Sequence, residues 1–365
     1  MQKRLNVGII GCGNISSIYI ENLKNYDYVN LIALSDLQVE KARQQANKYH
    51  VPNVFTPEEL LKQKDIDIVL NLTTPDAHFT VSKQIIASKK HVYVEKPLTI
   101  EREDAKILMN LAKKNNIRIG CAPDTFLGGA IQTARELIEN GAIGKPVAAH
   151  AFMLCHGHES WHPDPHFYYK HGGGPLFDMG PYYLTALIHL IGPIRKVAAM
   201  SNITFPERTI TSNPKFGETI QVETPTHING VLEFENGAIG SLVTSFDIWY
   251  TNLPCIEIYG TEGTMLVPDP NGYNGAIQIR KKHESEWENQ PITFGYTANS
   301  RGIGVSDMAH AILQGDKHRA NEEVGFHVLD VMHSILESAK KGSHIELQST
   351  CEKTKLMYQS KILTE

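Results

Sequence analysis

The chain has no long hydrophobic run, few cysteines and no clustered basic charge, and each absence removes a class of function. Across 365 residues no apolar stretch approaches the roughly 18 residues of a membrane-spanning helix. The five cysteines, at 12, 121, 155, 255 and 351, are odd in number, scattered and never in C-x-x-C spacing. That pattern fits neither a disulfide framework nor a zinc scaffold and suits free thiols in a reducing compartment. A net charge of −5 without a basic cluster excludes a nucleic-acid footprint. Lys3-Arg4 and the apolar run up to Cys12 imitate a short lipoprotein signal. The run is at the short limit for such a segment and contains Asn6, so a first buried strand explains it better. The expectation is a soluble, cytoplasmic protein whose length suffices for two cores.

What is present begins with Leu5–Ile10, a compact apolar run suited to a strand buried on both faces. Gly11-Cys12-Gly13-Asn14-Ile15-Ser16 follows, and then apolar residues at helical spacing. Strand, glycine turn and helix form the context that makes G-x-G-x-x-G a dinucleotide-binding fingerprint. Gly11 permits the tight turn, and Gly13 lets the backbone approach a pyrophosphate over the helix N-terminus. Asn14 and Ile15 complete that cofactor turn. Ser16 stands where the third glycine would, a small residue at a position of close helix–strand packing. The strand over 29–35 ends at Asp36, about 20 residues beyond the turn. A carboxylate there accepts hydrogen bonds from both ribose hydroxyls and repels a 2′-phosphate, which favours NAD over NADP. The alternative is an unliganded turn with Asp36 as a solvated strand end.

Residues 66–72 read as a further buried strand running into Thr73-Thr74-Pro75-Asp76-Ala77-His78. Pro75 lacks an amide proton and fits a loop or a first helical turn. Thr74, Pro75 and His78 are candidate cofactor contacts, although His78 reads equally as an ordinary helix-cap histidine. A helix over 80–88, a strand ending in Glu95-Lys96-Pro97, a helix through Lys113 and a strand over 117–121 continue the alternation. It implies right-handed βαβ units in a parallel sheet. Lys96 then sits at the carboxyl end of a parallel strand, the edge where such sheets bind ligands.

After Cys121 the rhythm changes. Residues 127–140 read as a helix closed by Gly141, and 146–155 as a strand. Residues 231–235, Asn236-Gly237 and 238–246 form a hairpin signal for which a type I′ turn is expected, and 255–267 suggest another. Strands joined this way build an antiparallel sheet, one face of which needs a partner or helices to cover it. In the segment 178–189, Pro181 suits the first helical position and Gly192-Pro193 the stop. Tyr182, Thr185 and His189 share one helical face, while Leu184, Leu187, Ile188 and Ile191 fall largely on the other. One side is expected to face a core and the other a pocket, with Asp178 just before the helix. Residues 156–171 hold five histidines with Glu159 and Asp164. No pair has a helical H-x-x-x-H context or a supporting cysteine set, so no metal is expected. Asp124 reads as a substrate-hydroxyl ligand or as the cap of the helix that follows it. His310 is a minor pocket candidate on a helix whose apolar spacing otherwise reads as core.

Taken together, these motifs resemble the glucose-fructose oxidoreductase / inositol dehydrogenase / MocA (Gfo/Idh/MocA) family. The residues that carry the match are Gly11-Cys12-Gly13-Asn14-Ile15, Asp36, Thr74-Pro75-Asp76-Ala77-His78 and Glu95-Lys96-Pro97-Leu98. Further on they are Gly172-Gly173-Gly174-Pro175-Leu176-Phe177-Asp178-Met179-Gly180 and Ile256-Glu257-Ile258-Tyr259-Gly260-Thr261-Glu262-Gly263-Thr264. The resemblance spans nearly the whole chain. It implies an α/β fold, with an N-terminal Rossmann dinucleotide-binding domain over 1–122 and a C-terminal α+β domain over 123–365. The second domain would hold an open, mostly antiparallel sheet, bind substrate and make a homodimer or homotetramer through the outer face of that sheet.

The resemblance also implies nicotinamide-dependent oxidation or reduction of a sugar, polyol or related compound. Lys96 would contact the reacting oxygen, and Glu95 would lie near the nicotinamide ribose. Many members carry Asp-x-Gly-x-His-x-x-Asp, with the histidine as acid/base. This chain has Tyr182 in the histidine's place and Thr185 in the second aspartate's, similar to the tyrosine-type members. A tyrosine near pKa 10 is a poor base at neutral pH, and a neighbouring Lys96 ammonium and cationic nicotinamide would favour the phenolate. The expected division has Lys96 stabilising the oxyanion and Tyr182, beside Asp178, exchanging the proton. The 156–171 loop is then either a loop packed by its aromatics or a substrate lid. In the lid, Trp161 stacks on a sugar ring while His158, Glu159 or His162 binds hydroxyls. Three alternatives stand beside this reading: Tyr182 as a packed aromatic, an NAD-dependent glycoside-cleaving enzyme, and a non-catalytic NAD-binding regulator. The presence of both Lys96 and Tyr182 argues against the regulator.

Overall fold

The computed structural model describes residues 3–358. The chain divides into two compact units: the residues up to Leu127 with Asn299–Leu329, and Gly128–Ala298 with the chain from Asp330 onward.

The first unit alternates β1 (Leu5–Ile10), α1 (Ser16–Leu23), β2 (Val29–Ser35), α2 (Val39–Tyr49), β3 (Asn53–Phe55), α3 (Pro57–Lys62), β4 (Ile68–Asn71), α4 (His78–Ala87), β5 (His91–Val94), α5 (Arg102–Asn115) and β6 (Ile119–Cys121). The six strands are all parallel, in the order β3-β2-β1-β4-β5-β6. In this arrangement the strand order reverses between β1 and β4, and ligands bind at the carboxyl ends beside that reversal. All four β4 residues are buried and so are five of the six in β1, which is why both read as unbroken apolar runs. The flanking helices are one-sided: α5 buries Ala105, Leu108 and Ala112 and turns its lysines outward.

Residues 299–329 belong to this unit, whereas the sequence alone assigns everything after 122 to the second domain. The reason lies at β6, an edge strand. Its Cys121 N–H donates to the Ala320 carbonyl at 2.9 Å, and Gly120 bridges Asn321. The returning chain therefore covers backbone groups that would otherwise be left exposed at the edge. The helix Ile303–Gln314 packs on β6, α1 and β2.

The second unit is built on β7 (Pro146–Leu154), β8 (Ile194–Asn202), β9 (Glu207–Thr209), β10 (Thr219–Gln221), β11 (His227–Phe234), β12 (Ile239–Ser245), β13 (Ile256–Gly260), β14 (Gly263–Val267), β15 (Ile277–Lys281), β16 (Glu288–Gln290) and β17 (Ile345–Glu346). Nine of these form one sheet ordered β16-β15-β14-β13-β7-β12-β11-β8-β17, and β9 pairs with β10 apart from it. Every pairing in the large sheet is antiparallel except β12 with β7. Helices α6 (Gly129–Glu139), α7 (Gly174–Asp178) and α8 (Gly180–Leu190) cover one face: α8 lies on β7, α6 on α8 and β14, and α7 on β12. Met200, Val231 and Ile239, on β8, β11 and β12, are exposed, and the strand register places them on one side of the sheet, opposite the buried Leu232 and Leu242.

The β11–β12 hairpin forms, but with a different turn from the type I′ expected. A type I′ turn needs positive φ at both central residues. Here only Gly237 has it, at 86°. Its N–H donates to the Phe234 carbonyl at 3.0 Å, and the Phe234 N–H donates to the Ala238 carbonyl at 2.9 Å. The chain turns through Glu235 and Asn236 and then uses the glycine for the left-handed step. The Asn236 side chain stabilises that path by accepting the Ala238 N–H at 3.0 Å. No described helix is long and apolar enough to cross a membrane.

Candidate active site

At Gly11 φ is +104°, and a Cβ there would lie 2.6 Å from the Leu72 carbonyl carbon and oxygen. Conformation and packing both require glycine. Gly13 differs, because a Cβ there would meet nothing within 4 Å. Gly13, Asn14 and Ile15 are exposed ahead of the N-terminus of α1. This open backbone cradle at a helix start has the chemistry of a pyrophosphate site. Ser16 is buried, and its hydroxyl donates to the Gly13 carbonyl at 2.6 Å, closing the turn from beneath. At the end of β2, Asp36 Oδ2 accepts the Cys12 N–H and Oδ1 accepts the Gln38 N–H, both at 2.8 Å. The carboxylate is fixed against the glycine turn, and each oxygen keeps a further lone pair for a ribose hydroxyl. Burial, then the Asp36 charge, push the Cys12 thiol up to about 12, which keeps it protonated under the turn.

Beyond β4, the buried Asn71 organises the next loop. Its amide nitrogen donates to the His78 carbonyl (3.2 Å) and the Ser82 hydroxyl (3.0 Å), while its oxygen accepts the Thr73 N–H (3.2 Å) and hydroxyl (2.7 Å). Thr74 is exposed, and Pro75 starts a single 3-10 turn. His78 is fully buried, with Nδ1 2.7 Å from the Pro97 carbonyl and Nε2 3.1 Å from the Thr73 carbonyl. Burial lowers its pKa, so the ring is neutral and donates one proton, which the shorter contact assigns to Pro97. His78 therefore bridges two loops inside the unit, while Thr74 and Pro75 face outward.

At the end of β5, Glu95 Oε1 accepts the Tyr19 hydroxyl at 2.6 Å and Oε2 accepts the Lys96 N–H at 2.8 Å. Lys96 itself is half-buried. Asp124 is a cap, but not of the helix that follows it. Its Oδ2 accepts the N–H groups of Gly302 (2.8 Å) and Gly304 (3.0 Å), at the start of the helix Ile303–Gln314. His310 packs its ring 4.4 Å from that of Tyr28.

In the second unit Asp178 ends α7 and Tyr182 lies in the first turn of α8, one turn further on. His158 Nε2 lies 2.9 Å from Asp178 Oδ2, so two candidates from different segments are in contact. The His158 ring sits among Trp161, Tyr168 and Phe246, with centroids 5.0, 4.4 and 4.6 Å away, and its Nδ1 is buried without a hydrogen-bond partner. Trp161 is 60% exposed. His162 Nδ1 accepts the Asp164 N–H at 3.0 Å, and burial lowers its pKa. Glu159 belongs to a buried ion cluster: its Oε1 is 2.7 Å from the Arg208 guanidinium, which also bonds Asp247 and, at 2.8 Å, the Phe246 carbonyl.

Thr185 and His189 are buried, as is every residue of α8, so the face they share looks inward where a pocket was expected. The Gln132 amide nitrogen, which can only donate, is 3.0 Å from His189 Nε2. His189 is therefore an acceptor at Nε2 and donates from Nδ1 to the Thr354 hydroxyl at 3.1 Å. Among the described residues no three His, Cys, Asp or Glu side chains converge on a point where a metal ion could sit.

Residues 5–122 match the family model described as "Oxidoreductase family, NAD-binding Rossmann fold", and residues 131–266 match the "GFO/IDH/MocA C-terminal domain". The chain belongs to the Gfo/Idh/MocA family of oxidoreductases. It is an NAD(P)-dependent oxidoreductase. Myo-inositol 2-dehydrogenase of Thermotoga maritima is 26% identical over 284 residues, 74% of this chain and 80% of that protein. Among solved structures, an NAD-binding oxidoreductase from Klebsiella pneumoniae superposes with a TM-score of 0.83 at 23% identity, covering 94% of this chain and 99% of the other. Levoglucosan dehydrogenase in complex with NADH gives 0.80 at 22%, covering 95% and 100%.

Several residues that organise this Gfo/Idh/MocA site escape sequence reading. Tyr19, Arg208 and Asp247 act through partners far away in the chain, and their own neighbourhoods show ordinary helix and strand patterns, while Asn71 acts on the loop and helix that directly follow it. A polar Asn71 closing an otherwise apolar strand was the one local sign.

Proposed function

We propose that this protein transfers hydride between NAD and a CH–OH group of a cyclic polyol or sugar. The observation that carries the reading is Lys96 at the carboxyl end of β5, its backbone held by Glu95, in the same parallel sheet that presents the open Gly13 cradle and the pinned Asp36. Gly11, Gly13, Asn14, Ile15, Asp36, Thr74, Pro75 and Glu95 would hold the dinucleotide. The nicotinamide, when bound, supplies the hydride acceptor or donor. The Lys96 ammonium stabilises the negative charge that develops on the substrate oxygen. Tyr182 takes or returns the hydroxyl proton, with Asp178 one turn before it. His158, fixed by Asp178, and the exposed Trp161 suit hydroxyl binding and ring stacking in the loop that leads into α7. The buried carboxylate of Asp124 and the buried rings of His78 and His189 have structural partners and contribute by positioning.

Asp36 supports NAD over NADP, because a 2′-phosphate would meet its carboxylate. The names of the relatives favour ring-shaped polyols and anhydrosugars as substrates. Copies of the chain would associate through the open sheet face carrying Met200, Val231 and Ile239, and a monomer by light scattering would dismiss that part. The functional test is NADH formation from NAD on a panel containing myo-inositol, levoglucosan and D-glucose, alongside nitrophenol release from aryl glycosides. NADH formation on one or more polyols or sugars is expected. Nitrophenol release without net NADH would replace the reading with redox-assisted glycoside cleavage, and tight NAD binding with neither activity would replace it with a binding role.

A further inference from the structure

Tyr19 stands in the first turn of α1, directly after the glycine turn, and is fully buried. Its hydroxyl reaches across to β5 and donates to Glu95 Oε1 at 2.6 Å, while Glu95 Oε2 accepts the Lys96 N–H at 2.8 Å. One carboxylate thereby joins the helix behind the cofactor cradle to the backbone of the lysine loop. We propose that Tyr19 is a positioning residue, fixing the Glu95 carboxylate and through it the direction in which Lys96 leaves the sheet. The proposal rests on the reading of Lys96 given above and deepens it.

Three observations support it. A hydroxyl donating to a carboxylate makes a shorter, stronger hydrogen bond than a neutral pair. Burial first, then the Glu95 charge, raise the Tyr19 pKa well above its ordinary value, so the hydroxyl remains a donor across the working pH range. Tyr93, on β5 itself, offers the contrast. It too is fully buried, wedged between Gly120 and Gly304, yet its hydroxyl has no hydrogen-bond partner. Two buried phenols thus flank one loop, and only Tyr19 tethers it.

The test compares Tyr19→Phe, Tyr93→Phe and Lys96→Ala in the full chain. Hydrogen exchange of the free protein reads the tether directly. Tyr19→Phe is expected to speed exchange at the Lys96 amide about tenfold or more while β1 and β4 keep their protection, and Tyr93→Phe is expected to leave it unchanged. In turnover of NAD with the most active panel compound, Tyr19→Phe is expected to lower kcat about tenfold to a hundredfold with the KM for that compound changed less than about twofold. Unchanged protection at the Lys96 amide in Tyr19→Phe overturns the inference. So does a Tyr19→Phe kcat equal to wild type beside an inactive Lys96→Ala, and in that case the reading of Lys96 stands. A fully active Lys96→Ala removes the reading of Lys96 and the inference with it.

Discussion

Replacing Asp124 with alanine separates a structural role from a substrate-binding one. The side chain is 1% exposed, and its Oδ2 holds the N–H groups of Gly302 and Gly304 at 2.8 and 3.0 Å. Gly302 precedes the helix Ile303–Gln314 in a left-handed conformation, and the helix has no cap from its own N-cap side chain. Alanine would strand buried amides that cost about 1–3 kcal/mol each when unsatisfied, and would remove a negative charge from a helix N-terminus worth roughly 0.3–1 kcal/mol. Partial hydration of the gap offsets some of this, so about 3 kcal/mol is expected. For a unit of this size that lowers Tm by roughly 6–12 °C. Asp124→Asn keeps an acceptor in the same place and loses only the charge, so it should cost about 1 kcal/mol, or roughly 2–4 °C. Differential scanning calorimetry on both variants, with steady-state kinetics on the survivors, measures the two roles side by side. An alanine variant that melts with the wild type while its KM for the sugar rises would refute the cap and restore a substrate contact.

Lys96→Ala should abolish turnover while leaving NAD affinity, measured by fluorescence titration, nearly intact; wild-type rates would remove Lys96 from the chemistry. Asp36→Ala should narrow the NAD over NADP preference in kcat/KM, and an unchanged ratio would show that Asp36 does not meet the ribose. His318 is fully buried beside the Ile119 carbonyl, and burial pushes its pKa down to about 3 from an ordinary 6.5. Because the folded pKa is depressed, the neutral ring carries no penalty above pH 6.5. Below it the unfolded chain binds a proton that the folded chain refuses, and stability falls by about 1.4 kcal/mol per pH unit. His318→Gln keeps a donor for the carbonyl and should recover about 2–3 kcal/mol of the loss between pH 7 and 4.5 in urea unfolding; equal acid sensitivity in both proteins would refute the assignment.

The first unit was legible because its signals are local. Gly11, Gly13 and Asp36 belong to short segments whose type follows from a few consecutive residues, and a fully buried parallel strand such as β4 has to be apolar throughout. What escaped depends on long-range closure. Nothing around Asp124 or Gly302 reveals that they meet, and the return of 299–329 to β6 is set by an edge strand's exposed backbone, which carries no side-chain signature. The inward turn of Thr185 and His189 had the same cause. Helical periodicity shows that they share a face with Tyr182, but whether that face meets solvent depends on α6 and on Thr354, near the end of the described chain. The Asn236-Gly237 turn was right in place and different in kind, because the asparagine side chain found a backbone N–H two residues on.

The loop at 156–171 carries the same lesson into the chemistry. By composition its five histidines and two acids raise a metal reading, which their spacing disfavours. A metal needs several donors converging on one point, and here each acid is already committed. Asp178 holds His158, Glu159 faces the Arg208 guanidinium and accepts the Tyr169 hydroxyl, and Asp164 lies 2.8 Å from Lys215 and 3.0 Å from His166. Arg208 comes from β9, outside the loop, and sits buried between Glu159 and Asp247. Two buried carboxylates facing each other without that guanidinium would be strongly unfavourable, so the loop's course is tied to β9 and to Asp247 just beyond β12. With its acids occupied in this way, the loop keeps its course over β9 and leaves Trp161 exposed at its surface.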